Sequence, residues 1–285
     1  MIISASRRTD IPAFYAEWLV NRLNAGYCLV KNPFNPRQIR QVSLLPEDVD
    51  GIVFWTKNAA PIMPALPALD KFQYYFQYSI TPYHADIECG LASKRDTVIP
   101  SFLELAKHIG AKRTIWRYDP ILITNKYDYS YHRTAFSRLC KLLEGSTEKC
   151  VVSFMIAYKS VAKNLRESGH KDLTAEEKIT LAESMLLIAK NHGITLCACC
   201  ELPELYKLGI QPISCVDADM FGVNTSRDKN QRKGCNCAVS VDIGAYNTCM
   251  NGCMYCYANH AKAKVEQNYL MHSPNGELLI DIEWT

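Results

Sequence analysis

Three thiols on one short stretch are the residues of this sequence best suited to chemistry: Thr248-Cys249-Met250-Asn251-Gly252-Cys253-Met254-Tyr255-Cys256-Tyr257-Ala258-Asn259. Three thiolates so close in sequence can hold three irons of a cubane cluster and leave the fourth iron without a protein ligand, open to a substrate. Gly252 lets the chain turn tightly between ligands. Residues 257–267 read as a helix whose N-terminus would face the anionic cluster. Thirteen cysteines occur in the chain, nine of them between Cys197 and Cys256. In a reducing compartment such clustering points to metal or redox chemistry rather than to disulfides.

The Cys-x3-Cys-x2-Cys spacing, with Tyr255 just before the last cysteine, resembles the signature of the radical S-adenosylmethionine (SAM) superfamily. The run Gly252 to Asn259 is particularly similar to spore photoproduct lyase and its relatives. This resemblance implies that Cys249, Cys253 and Cys256 ligate a catalytic 4Fe-4S cluster and that Tyr255 lies near the adenine. It also implies that SAM chelates the open iron through its amino and carboxylate groups. One-electron reduction, from a donor such as flavodoxin or ferredoxin, would then release methionine and a 5′-deoxyadenosyl radical that abstracts hydrogen from a substrate. In that superfamily the motif usually follows the first strand, whereas here it follows the last clear strand, 238–243; a circular permutation reconciles the two, because in a barrel the last strand can lie beside the first. The Gly-Gly-Glu that usually holds the SAM amino group is absent. The chain as a whole resembles a family of such proteins with C-terminal cysteine clusters, which supplies no substrate.

Cys200, Cys215, Cys235 and Cys237 remain near the motif, and four thiolates are the number that closes a second, auxiliary 4Fe-4S cluster with no open iron. Cys197 and Cys199 are alternatives to Cys200, but on a strand they point to the opposite face. Cys200, at the strand end, is therefore the expected ligand, and Cys197 and Cys199 read as small buried hydrophobes. Cys28, Cys89, Cys140 and Cys150 are isolated and read as structural. Zinc stays open as an alternative, since Cys235 and Cys237 followed by the motif triplet can supply four thiolates to a tetrahedral ion.

Arg7, Arg8, Lys57 and Arg117 are candidates to hold the carboxylate of SAM, or a carboxylate or phosphate of the substrate, because arginine gives bidentate contacts and lysine a point charge. Asp119 and Glu201 can accept hydrogen bonds from ribose hydroxyls. Lys229 and Arg232, in the polar run 228–233, offer two further cations or simply an exposed loop.

These residues need a scaffold, and the pattern supplies one. Runs rich in Ile, Val, Phe, Tyr and Trp at 1–5, 51–56, 73–81, 113–117, 150–156, 194–199 and 238–243 read as strands. Helices are expected between them. One is opened by Asp10 and Pro12 and stopped by Gly26; others span 98–109 and 131–143, and one begins at a Thr174/Glu177 capping box and ends before Gly193. Repetition of β then α about six times predicts an α/β fold with a parallel sheet, a complete or partial (β/α) barrel of the radical SAM kind, circularly permuted. A single domain over 1–285 is expected, with a barrel body at 1–196 and a cysteine-rich cluster-binding region at 197–285. In such folds the reactive face lies at the C-terminal ends of the strands. Several strands here finish in polar groups: Ser4–Asp10, Trp55–Asn58, Gln77–Thr81, Trp116–Pro120 and Cys200–Glu201.

Net charge is +3, from 32 basic and 29 acidic residues, which gives no large field for nucleic acid. No apolar run of about 18 residues occurs and the N-terminus lacks the order of a signal peptide, so a cytoplasmic protein with no membrane partner is expected. Histidines at metal spacing and the glycine fingerprints of nicotinamide or ATP sites are absent. The reading is an enzyme that cleaves SAM reductively and acts on an unknown substrate. A non-catalytic iron–sulfur electron carrier and a zinc-stabilised nucleic-acid-binding module are the alternatives.

Overall fold

The seven apolar runs form strands, and three further strands bring the number to ten, in a computed structural model that describes residues 1–280. They are β1 (Ile2–Ala5), β2 (Tyr27–Asn32), β3 (Asn35–Ser43), β4 (Gly51–Thr56), β5 (Tyr74–Ser79), β6 (Thr114–Ile121), β7 (Lys149–Phe154), β8 (Thr195–Ala198), β9 (Gln211–Pro212) and β10 (Val241–Asp242). Eight form one sheet in the order β10-β1-β4-β5-β6-β7-β8-β9. Every pairing in it is parallel. The last strand therefore lies beside the first, Ile3 opposite Val241. Among the described residues no pairing joins β9 to β10, so the sheet is open and a closed barrel is not formed. Strands β2 and β3 make a separate antiparallel hairpin that sequence patterning missed.

Alternation along each strand builds two apolar layers. Ile3, Ile52, Phe54, Phe76, Trp116, Val152 and Leu196 pack on one face with helix residues such as Trp18, Phe102, Phe136 and Met185. Ile2, Val53, Tyr75, Ile115, Val151 and Cys197 face the other way, against Cys215, Val216, Phe221, Cys235 and Ala238 from the cysteine-rich segment. That segment is a third layer lying on the sheet. Two residues further along the same strands, the second face turns polar, with Ser4, Gln77, Arg117 and Ser153 toward the C-terminal ends.

The expected punctuation is present. Asp10 caps Ile11–Phe14 by accepting the Ala13 N–H, and Gly26 ends Ala16–Ala25 at φ 77°. Both halves of the Thr174/Glu177 capping box form at the head of Ala175–Asn191. Two elements differ from expectation. The strand at 238–243 shrinks to Val241–Asp242, because Ala238 N–H donates to Val216 O and Val239 N–H to Ser226 O, off the sheet. The helix expected over 257–267 begins only at Lys262, past the last cysteine of the motif.

His132 supplies a test of the core. Its Nδ1 faces the Tyr118 hydroxyl at 2.8 Å and its Nε2 faces Leu122 O at 3.1 Å, so Nε2 carries a proton and the neutral ring can accept from Tyr118 at Nδ1. Burial pushes its pKa down to about 4. A folded pKa below the unfolded value means that stability is full above about pH 6.5 and is lost as pH falls toward about 4, by about 3 kcal/mol. Urea midpoints should therefore drop less steeply over that window in His132→Gln than in wild type. Parallel curves would contradict this.

Candidate metal centres

The motif loop is held by three neighbours distant in sequence. Tyr15 Oη donates to Thr248 O at 2.6 Å, and Asn251 Nδ2 donates to the buried Asp10 carboxylate at 3.0 Å. Asp10 also accepts Lys57 N–H at 2.8 Å, so the loops after β1 and β4 meet under the motif. Residues 87–90 pair along the loop: Met254 N–H donates to Ile87 O and Gly90 N–H to Asn251 O. Two glycines make this approach possible. Gly252 sits at φ 61°, and a Cβ on Gly90 would fall 2.0 Å from Met250 O.

The three thiols are half-buried, and burial pushes all three upward. Main-chain N–H groups oppose it, Asn251 at Cys249 and both Ala258 and Asn259 at Cys256. Such donors stabilise ligating thiolates. Lys57 Nζ lies 5.6 Å from the centre of the Tyr255 ring. Burial opposes its charge, yet Glu88 and Cys253 raise its pKa above the ordinary value.

Glu88 is the residue that sequence reasoning missed. It is 2% exposed and accepts from Lys57 Nζ at 2.8 Å, Lys94 Nζ at 2.5 Å, Thr81 Oγ1 at 2.7 Å and the Tyr255 hydroxyl. Burial alone would raise its carboxyl, but Lys57 and Lys94 hold it down at about 2. No local pattern marks it, because its partners come from four separate segments. Cys89, read as structural, instead has an exposed thiol against this loop, 3.4 Å from Gly252 O.

A second group of thiols forms at the end of β8. Cys199, Cys200 and Cys235 have Sγ atoms all within 4.8 Å of one another, Cys199 and Cys200 being 3.7 Å apart. Cys199 also contacts Cys215 and Cys237, which hold its thiol up, while contacts with Cys199 and Cys215 draw Cys237 down. The expectation that Cys199 points away from Cys200 is therefore corrected. Strand geometry ends at Ala198, and Cys200 takes a left-handed φ of 57°, so strict alternation no longer applies. Cys197 remains in the apolar layer.

Residues 2–258 match the family described as Domain of unknown function (DUF1848). The chain belongs to that family. Its matched span contains the motif triplet and all five thiols of the second group. No curated protein matches the sequence.

The charged candidates of this DUF1848 chain divide between the two groups. Arg117 Nη1 donates to Cys215 Sγ and to Gln77 Oε1, each at 3.1 Å, while Nη2 meets Asp119 Oδ2 at 2.5 Å. Asp119 also accepts from the Ser153 hydroxyl. Arg7 lies over the Trp55 ring at 5.3 Å, and its buried Nη2 has no hydrogen-bond partner. Arg8 turns elsewhere, toward Gly244 O at 3.4 Å and the Tyr246 ring. Glu201 accepts Phe154 N–H at 2.9 Å, and burial raises its pKa. Of the two candidates in the 228–233 run, Arg232 Nη2 reaches Cys199 O at 3.0 Å, whereas Lys229 is an exposed loop residue. Among the described residues no helix is long and apolar enough to cross a membrane.

Proposed function

We propose that this chain is a radical SAM enzyme whose catalytic 4Fe-4S cluster is held by Cys249, Cys253 and Cys256. The observation that carries the reading is the setting of those three thiols. They are the three cysteines of one loop, two of them receive main-chain N–H groups, and Lys57 and Tyr255 stand beside Cys253. When bound there, the cluster supplies the electron that cleaves SAM reductively. The rest is done by the chain. Glu88 fixes the hydroxyl of Tyr255, which in this reading borders the adenine, and keeps the Lys57 ammonium from wandering. Arg7, with its unpartnered Nη2, offers a donor to a carboxylate of SAM or substrate. The polar band of Gln77, Arg117, Asp119 and Ser153 positions the substrate, and the overlying segment 213–239 keeps water from the face.

The sheet order supports a permuted partial barrel. With β10 beside β1, the strand that precedes the motif takes the first position in space while being last in sequence. In this reading the protein works in the cytoplasm and takes its electron from flavodoxin or ferredoxin. The reading is tested by electron paramagnetic resonance of the anaerobically reconstituted, reduced protein. SAM is expected to shift the cluster signal, because it occupies the open iron; a signal indifferent to saturating SAM would remove the proposal.

A further inference from the structure

The spacing of the second thiol group departs from that of a cubane. We infer that it holds one tetrahedral metal ion, zinc, through Cys199, Cys200, Cys235 and Cys237, and that this site is independent of the chemistry assigned to the motif triplet. Zinc–thiolate bonds of about 2.3 Å in a tetrahedron put neighbouring sulfurs about 3.8 Å apart. The Cys199 and Cys200 sulfurs are 3.7 Å apart, and Cys235 lies within 4.8 Å of both. A cubane puts each thiolate on a different iron and spreads the sulfurs further. Three sulfurs gathered this closely share one ion. The motif triplet provides a comparison within the same chain, since its thiols are not gathered within that limit.

The fourth ligand follows from the contacts. Cys237 touches Cys199, and its own N–H donates to Cys235 Sγ at 3.5 Å. Val216 N–H in turn donates to Cys237 Sγ at 3.5 Å. Cys215 also touches Cys199 and Cys237, but its sulfur is taken up by Arg117 Nη1 at 3.1 Å, whereas Cys237 is the one tied to Cys235. Four thiolates on a divalent ion leave a net negative charge, and Arg232, bonded to Cys199 O, stands beside it. All-thiolate tetrahedral sites suit zinc, which also outcompetes ferrous iron in intrinsic affinity.

The ion has a structural task. From Cys199 to Ser240 regular structure is confined to Pro203–Lys207, Gln211–Pro212 and Ala218–Phe221, so the segment covering the sheet has few backbone ladders of its own. One ion tying Cys199 and Cys200 at the end of β8 to Cys235 and Cys237 fastens that cover, much as small metal-bound modules gain their folding energy.

The test is metal content per chain, measured by mass spectrometry on protein isolated anaerobically from cells supplied with both metals. Wild type is expected to carry about one zinc and about four irons. Cys253→Ala should lose the iron and keep the zinc, and a Cys200→Ser/Cys235→Ser double variant should do the reverse. Should that variant fail to fold, cobalt exchanged into wild type should give the intense thiolate absorption of a tetrahedral site. Iron near eight per chain without zinc, or zinc retained in the double variant, would overturn the inference. Zinc without iron in wild type would leave this site standing and remove the radical reading instead.

Discussion

Cys253→Ala is expected to abolish 5′-deoxyadenosine formation to background while leaving the chain folded. Three thiolates are the minimum that anchors a cubane with one open iron, and no further cysteine of the motif can replace the lost one. Cys253 is the central ligand, paired across an isolated bridge with Glu88, and the thiol most exposed to the Lys57 charge. Its side chain adds little to the apolar core, so truncation should cost little stability. The control is far-ultraviolet circular dichroism with zinc content, both unchanged. Product at more than about a tenth of the wild-type rate would mean that the cluster is held by other residues.

Glu88→Gln is expected to destabilise the metal-free protein by about 3–5 kcal/mol, a large share of what a domain possesses. The Glu88 side chain is 1% exposed, and its two partners are only 11% and 23% exposed, so removing the negative charge leaves two ammonium groups poorly solvated and uncompensated. The amide oxygen of glutamine can still accept from Tyr255 or Thr81, which isolates charge as the cause. Denaturant midpoints of the two proteins read the effect directly. A difference below about 0.5 kcal/mol, the level of an ordinary surface substitution, would contradict it.

Local signals carried much of the fold. The alternation of Ile52–Trp55 and Tyr74–Gln77, the Thr174/Glu177 box and the stop at Gly26 are each encoded within a few residues, and each element formed. The hairpin of β2 and β3 was overlooked although Asn32-Pro33-Phe34-Asn35 between two strand-like runs offered a turn signal. Openness of the sheet was not legible, because pairing of β9 with β10 depends on where the intervening cysteine segment lies. The motif triplet declared itself by spacing alone. Cys199 did not, since period-two reasoning was carried one residue past the end of β8. Glu88 illustrates the larger limit: a buried carboxylate is defined by Lys57, Lys94, Thr81 and Tyr255 together, and only folding brings them to one point.

The most direct measurement is SAM turnover by the anaerobically reconstituted, dithionite-reduced wild-type protein, with 5′-deoxyadenosine and methionine assayed together. The account predicts that both products appear in equal amounts and depend on the reductant. A protein with its full iron complement that binds SAM and yields neither product, with or without extracts supplying candidate substrates, would contradict it.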